Sequence, residues 1–169
     1  MEKPVNHILV IFGASGDLTS RKLIPALFSL KVQDLLPEKF SVLGCGRTVI
    51  NDQQFRDRMK ESIVEFSEER NPDGKLIEEF TECISYLSFN SEQVSGYGKL
   101  RDFLQGMTNS QGISPNYIFY MATPPSMYSV IAGNLHEAGL SVQNAGFRRL
   151  IIEKPFGYDL ESGRELNRK

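Results

Sequence analysis

Cysteine is scarce in this chain, histidine equally so, and no apolar stretch is long. The two cysteines, Cys45 and Cys83, are too few and too scattered for a disulfide framework or a zinc site. A reducing, cytoplasmic compartment fits that usage. His7 stands at the amino end of the first apolar run and His136 beside Glu137 in a helical pattern. Both read as surface or packing residues, not as a catalytic base. No apolar run approaches the ~20 residues of a membrane span. Met1-Glu2-Lys3-Pro4 leads straight into a strand pattern with no secretory signal ahead of it. Excess charge is missing too: 19 basic residues face 21 acidic ones, a net charge of -2, which speaks against bulk electrostatic binding of nucleic acid. Internal repeats and low-complexity tracts are also absent.

What remains is a chain of 169 residues, 40% hydrophobic, enough to build the core of one ordinary domain. Five apolar runs alternate with helical patterns. They predict strands over 7–12, 40–44, 84–89, 117–122 and 149–153. Strands separated by helix-length segments imply an α/β fold with a doubly wound parallel sheet, a Rossmann-like dinucleotide-binding domain over 1–169. Leu23, Leu27 and Leu30 keep helical spacing, but Pro25 either kinks that helix or marks its first turn. Phe55, Met59, Ile63 and Phe66 make one stripe of a longer helix capped by Asn51 or Asp52. Asn71-Pro72-Asp73-Gly74 is a turn with a short helix after it. Leu100, Phe103 and Leu104 predict a helix ending near Gly106, and Met127, Ile131 and Leu135 one closing at Gly139. Asp159-Leu160-Glu161-Ser162 opens a further helix, and the sequence given then stops at Lys169. The expectation is a chain cut after its cofactor domain, with the substrate half elsewhere.

The richest segment is Ile8 to Leu18. An apolar run of strand length ends at Gly13-Ala14-Ser15-Gly16, and a helical pattern follows. Strand, Gly-rich turn and helix together open a dinucleotide-binding unit. Gly13 permits a turn with positive φ. Gly16 lets the backbone come close to a pyrophosphate, which the helix N-terminus attracts. The spacing is Gly13-x-x-Gly16 with Thr19 next in step, not the regular Gly-x-Gly-x-x-Gly. A tight turn that binds nothing is the other reading.

Ligands bind at the carboxyl ends of parallel strands, and three more groups fall there. After the second strand come Gly44-Cys45-Gly46-Arg47-Thr48. An NAD site would place a carboxylate there for the ribose 2′-hydroxyl. Arg47 and Thr48 instead suit a 2′-phosphate, so NADP is favoured over NAD, unless Arg47 is simply solvated. Gly44 and Gly46 leave room for an adenine. After the fourth strand come Ala122-Thr123-Pro124-Pro125-Ser126, a stiff loop for a nicotinamide or else a rigid helix start capped by Thr123 or Ser126. After the fifth comes Glu153-Lys154-Pro155-Phe156-Gly157. Lys154 is there either to hold a phosphate or hydroxyl or as a solvated strand end.

Gly13-Ala14-Ser15-Gly16-Asp17-Leu18, Arg21-Lys22-Leu23 with Pro25, Gly44 to Arg47, Pro124-Pro125 with Tyr128, and Glu153-Lys154-Pro155-Phe156-Gly157 occur in that order. Together they closely resemble the coenzyme domain of the glucose-6-phosphate dehydrogenase family. The resemblance implies that Gly13, Ala14, Ser15, Gly16, Asp17, Leu18 and Thr19 hold the coenzyme diphosphate. It implies that Arg47, with Thr48 beside it, takes the 2′-phosphate of NADP. Ala122, Pro124 and Tyr128 would lie on the nicotinamide side. Lys154 would contact the sugar phosphate and the coenzyme, and Pro155 would position the nicotinamide. The family's general base is a histidine beyond the matching Glu-Lys-Pro-Phe-Gly, so no catalytic base and no metal ligand is expected within these residues. The resemblance further implies glucose 6-phosphate as substrate of the full-length enzyme, oxidation at C1 to a lactone in the pentose phosphate pathway, and a homo-oligomer formed through the missing domain. By itself the chain is expected to bind without turnover. A sugar dehydrogenase of the glucose–fructose oxidoreductase kind and a non-catalytic dinucleotide-binding module remain as alternatives.

Overall fold

A computed structural model of the chain describes residues 3–69, 71–153, 161 and 164. Five strands form one parallel sheet: β1 (His7–Phe12), β2 (Phe40–Gly46), β3 (Ile84–Ser88), β4 (Tyr117–Met121) and β5 (Arg148–Ile152). Their order across the sheet is β3-β2-β1-β4-β5. The chain therefore winds outward from β1 to β3, crosses back, and winds outward again through β4. Where the winding reverses, beside β1, the connections diverge and leave a crevice at the carboxyl ends. The strands match the sequence reading to within two residues, the largest difference being β2, which continues through Cys45 to Gly46 in register with β3.

β1 is buried along its whole length, and its side chains alternate between two cores. Ile8, Val10 and Phe12 face one core with Tyr97, Leu100, Ile131 and Leu135. Leu9 and Ile11 face the other with Phe28, Phe55, Ile63 and Phe80. The first layer comes from α4 (Ser95–Gln111) and α5 (Tyr128–Glu137), and the second from α1 (Ile24–Val32), α2 (Asp52–Phe66) and α3 (Gly74–Glu82). Helices on both faces explain why β1 reads as an unbroken apolar run. β5 is an edge strand, and Leu150 and Ile151 are about 40% exposed on it.

Local chemistry sets the helix ends. Asn51 Oδ1 accepts from the Gln54 amide at 2.8 Å, and Gln54 Oε1 accepts from the Asn51 amide at 3.0 Å, a reciprocal capping box. Asp52 is not the cap; its carboxylate accepts from the Tyr86 amide at 2.7 Å and ties α2 to β3. Asn51→Ala should cost about 1 kcal/mol in urea unfolding, the usual worth of such a cap. A midpoint unchanged from wild type would remove the capping box from the energetics of α2.

Pro25 resolves into the first turn of α1, with a π-helical turn, Thr19–Leu23, in front of it. The Ile24 amide reaches back to the Thr19 carbonyl, and Pro25 has no N–H with which to close a tighter ladder. The helix expected to end near Gly106 instead runs to Gln111. Met107 carries its buried stripe onward, Gly106 faces solvent, and Gly112, at φ +61°, ends it in the left-handed conformation that favours glycine. His7 packs edge-on against Phe40 at 5.2 Å, and burial lowers its pKa. Gly139, at φ +72°, closes α5 as expected. The helix start expected at 159–162 lies, Glu161 aside, outside the described residues. Among the described residues no helix is long and apolar enough to cross a membrane.

Candidate functional site

The crevice is built from the turn that ends β1. Gly13 adopts φ +80°. Its amide and that of Ala14 both donate to the Cys45 carbonyl, at 2.9 and 3.0 Å, which fastens the turn to the end of β2. On the other side Gly13 lies flat against β4: a Cβ there would land on the Ala122 carbonyl oxygen and 3.1 Å from Thr123 Cγ2. The Gly16 amide closes the turn on the Gly13 carbonyl at 3.0 Å. Helical geometry begins at once. The amides of Asp17, Leu18 and Thr19 fall in the first turn, where no earlier helical carbonyl faces them. Free amides at the positive end of a helix form an anion site.

The members of this segment divide by where they sit. Gly13, Ser15 and Gly16 line the crevice, with Ser15, Gly16 and Asp17 exposed. Ala14 is fully buried between the sheet and α2, and Thr19 is fully buried with its hydroxyl unpartnered among the described residues. Leu18 is half-buried and outside the lining.

At the end of β2, Gly46, Arg47 and Thr48 line the same crevice. Arg47 is exposed, and no ion pair engages it among the described residues. The Tyr86 hydroxyl donates to the Thr48 carbonyl at 3.0 Å and fixes the backbone beside Arg47. Burial first of all raises the Tyr86 pKa, so the phenol stays a donor. Gly46 is tight for the same reason: a Cβ would stand 2.7 Å from the Tyr86 hydroxyl and 3.2 Å from Ser15 Oγ. Gly44 has a different task from the one its position implied. A Cβ there would come within 2.8 Å of the Phe55 ring and 2.9 Å of the Ala14 side chain. It is small so that α2 can dock, and it does not line the crevice.

Across the turn, Ala122, Thr123, Pro124, Ser126 and Met127 form the opposing wall. A single 3₁₀ turn, Pro125–Met127, leads into α5 without a side-chain cap from either Thr123 or Ser126. Tyr128 belongs to the core under α5 and is 5% exposed. Burial first, then the Glu153 carboxylate, raises its pKa. The Glu153 side chain accepts from the Tyr120 hydroxyl at 2.6 Å, and burial together with that bond raises the Tyr120 pKa as well. Lys154 and Pro155 lie outside the described residues.

The cleft so enclosed measures about 670 Å³, within the usual range for a small-molecule site. Its donors include backbone amides over the turn, hydroxyls such as those of Ser15 and Thr48, and the Arg47 guanidinium at one end, with a stiff proline loop at the other and one carboxylate, Glu92, in the lining. The cradle at Gly13 and Gly46 has no room for a Cβ, so backbone forms its floor. A dinucleotide fits that donor set. Among the described residues neither histidine reaches the cleft, no cluster of metal-ligating side chains occurs, and Cys45 is a buried thiol whose pKa burial pushes up. The described part of the cleft can bind and orient an extended anion.

Asn90, Ser91 and Glu92 also line the cleft, and the sequence reading missed them. They follow β3, and their signal in the sequence is that place alone, the carboxyl end of a parallel strand.

A family model described as "Glucose-6-phosphate dehydrogenase, NAD binding domain" matches residues 10–169. The glucose-6-phosphate 1-dehydrogenase of Treponema pallidum (strain Nichols) is 42% identical over 161 residues, covering 95% of this chain and 31% of the relative. That of Aggregatibacter actinomycetemcomitans is 42% identical over 165 residues, covering 98% of this chain and 33% of the relative. A solved glucose-6-phosphate dehydrogenase in complex with its substrate glucose-6-phosphate superposes with a TM-score of 0.87 at 30% identity, over 99% of this chain and 34% of that one. The crystal structure of the Mycobacterium avium enzyme gives 0.79 at 29% identity, over 96% and 33%. The chain spans about a third of the length of the curated relatives it matches.

Proposed function

The chain belongs to the glucose-6-phosphate dehydrogenase family, matching its NAD binding domain, and from that premise we propose that residues 1–169 form the coenzyme-binding domain of an enzyme that oxidises C1 of glucose 6-phosphate to a lactone with NADP. One observation carries the choice of coenzyme. The cleft ends at Gly46-Arg47-Thr48, a cation and a hydroxyl where an NAD site would present a carboxylate.

In this reading the first-turn amides behind Gly16 hold the diphosphate. The Arg47 guanidinium, exposed and without an ion pair among the described residues, takes the 2′-phosphate with Thr48 beside it. The wall from Ala122 to Met127 backs the nicotinamide and keeps water from one face. When bound, the coenzyme supplies the two-electron acceptor; everything else asked of these residues is binding and orientation. Lys154, next in the chain after Glu153, would hold a sugar-phosphate oxygen and orient C1, and Pro155 would position the ring. The general base, most of the sugar site and the homo-oligomer interface are assigned to the rest of the relatives' length. The compartment is the cytoplasm.

Titration calorimetry with NADP and NAD tests the reading. Arg47→Ala should weaken NADP about 10–150-fold, the loss of a charge-assisted contact, and leave NAD nearly unchanged. Equal losses for the two coenzymes would show that Arg47 does not read the 2′-phosphate. A wild-type chain that binds neither coenzyme would reject the assignment of the cleft.

A further inference from the structure

The loop of residues 90–92 is held from behind by two buried polar side chains that never touch the cleft. Asn134, in the middle of α5 and 7% exposed, donates its side-chain amide to the Ser91 carbonyl at 3.2 Å and the Glu92 carbonyl at 3.5 Å. Tyr97, in α4 and without exposed surface, donates its hydroxyl to the same Ser91 carbonyl at 2.7 Å. The Tyr97 ring is part of the apolar core, stacked on Phe12 at 6.2 Å and edge-on to Phe89 at 5.3 Å. Burying an amide and a phenol there costs free energy that Leu and Phe would not incur, and the cost is offset only when the partners are present. Two elements spend polar groups on one loop carbonyl, and that loop has its other side on the cleft.

The loop is tied down along its length. The Phe89 amide donates to the Gly46 carbonyl at 2.9 Å, the Glu92 amide to Asn90 Oδ1 at 3.1 Å, and the Gln93 amide to the Asn90 carbonyl at 3.0 Å. Gly96 draws the start of α4 onto Phe89; a Cβ there would stand 3.0 Å from Phe89 Cγ. Through Phe89 and Gly46 the loop adjoins Arg47 and Thr48, at the end of the cleft assigned to the adenosine ribose and its phosphate.

We propose that Asn134 and Tyr97 are positioning residues for the dinucleotide: they hold loop 90–92 as the wall against its adenosine half. The inference rests on the dinucleotide reading of the cleft. It differs from a packing role because its effect must appear in binding of the adenosine half, not only in stability.

Tyr97→Phe and Asn134→Leu, singly and together, are the variants, with binding measured for NADP and for adenosine 2′,5′-bisphosphate. Each single change should weaken both ligands by about fivefold, the worth of one neutral hydrogen bond. The factor should be the same for the two ligands, because the shorter one carries the whole adenosine half. Folded variants that keep wild-type affinity would overturn the proposal, as would a loss confined to NADP. Hydrogen exchange on the wild-type chain adds an arm that does not depend on a variant folding: saturating NADP should slow exchange at 90–93. A wild type that binds NADP while those amides stay unprotected rejects this inference alone. A wild type that binds no dinucleotide rejects the parent reading with it.

Discussion

Gly13→Val should remove on the order of 4 kcal/mol of stability, through positive-φ strain and a backbone collision acting together. Gly13 holds φ +80°, where a β-branched residue is strained. The added Cβ would also meet the Ala122 carbonyl, which is backbone at the end of β4 and cannot swing aside like a flexible side chain. Relief would require β1 and β4 to part, and with them the shared floor of the cleft. A domain of this size has about 5–15 kcal/mol in total, so the variant should unfold at much lower urea. Gly16→Ala is the control. Gly16 is exposed and a Cβ there meets only the Gly13 carbonyl, at 3.2 Å. Its cost in stability should stay under about 1 kcal/mol, with the loss showing in coenzyme affinity. A Gly13→Val chain with a wild-type urea midpoint would refute the close approach to β4.

Phe12→Ala should cost about 3–5 kcal/mol, the range for deleting a fully buried aromatic ring. Phe12 is the last residue of β1 and has no exposed surface. Its ring lies 6.4 Å from Phe89, 6.2 Å from Tyr97 and 6.4 Å from Phe119, so it is shared by β3's exit, α4 and β4. Few sites could collapse less easily, because three rings from separate elements would have to move together. Phe12→Leu retains most of the volume and should recover more than half of the loss. If alanine at 12 cost no more than an exposed substitution, Phe12 would not be the centre of that core.

The order of elements was legible because its signals are strong and local. Five apolar runs and the Gly13 turn each occupy a few consecutive residues, and the sheet follows from their alternation with helices. Helix ends were harder. Gly106 reads as a terminator in a one-dimensional pattern, yet a solvent-facing glycine costs only about 1 kcal/mol and the buried stripe through Met107 outweighs it. The roles of the glycines could not be separated by motif. Gly44 and Gly46 look alike in sequence and share one face of β2, but Gly44 lies inside the strand beneath Phe55 while Gly46, its last residue, reaches the cleft. Asn134 and the 90–92 loop were invisible because they meet across 42 or more positions of chain, and no local pattern encodes such a contact.

The Cys45 carbonyl, which accepts from both Gly13 and Ala14, has a kinetic consequence. It joins the Gly13–Gly16 turn to the strand that leads into Arg47, while Gly13 seats that turn against Ala122 at the exit of β4. The amide and guanidinium ends of the cleft are therefore parts of one frame, with no hinge between them. On the proposed reading, a coenzyme arriving at such a frame would find the turn and the Arg47 end already spaced. Its arrival is then set by diffusion and charge, and its residence time by the contacts alone. Substitutions at the Arg47 rim should accordingly shorten the lifetime of the complex far more than they slow its formation.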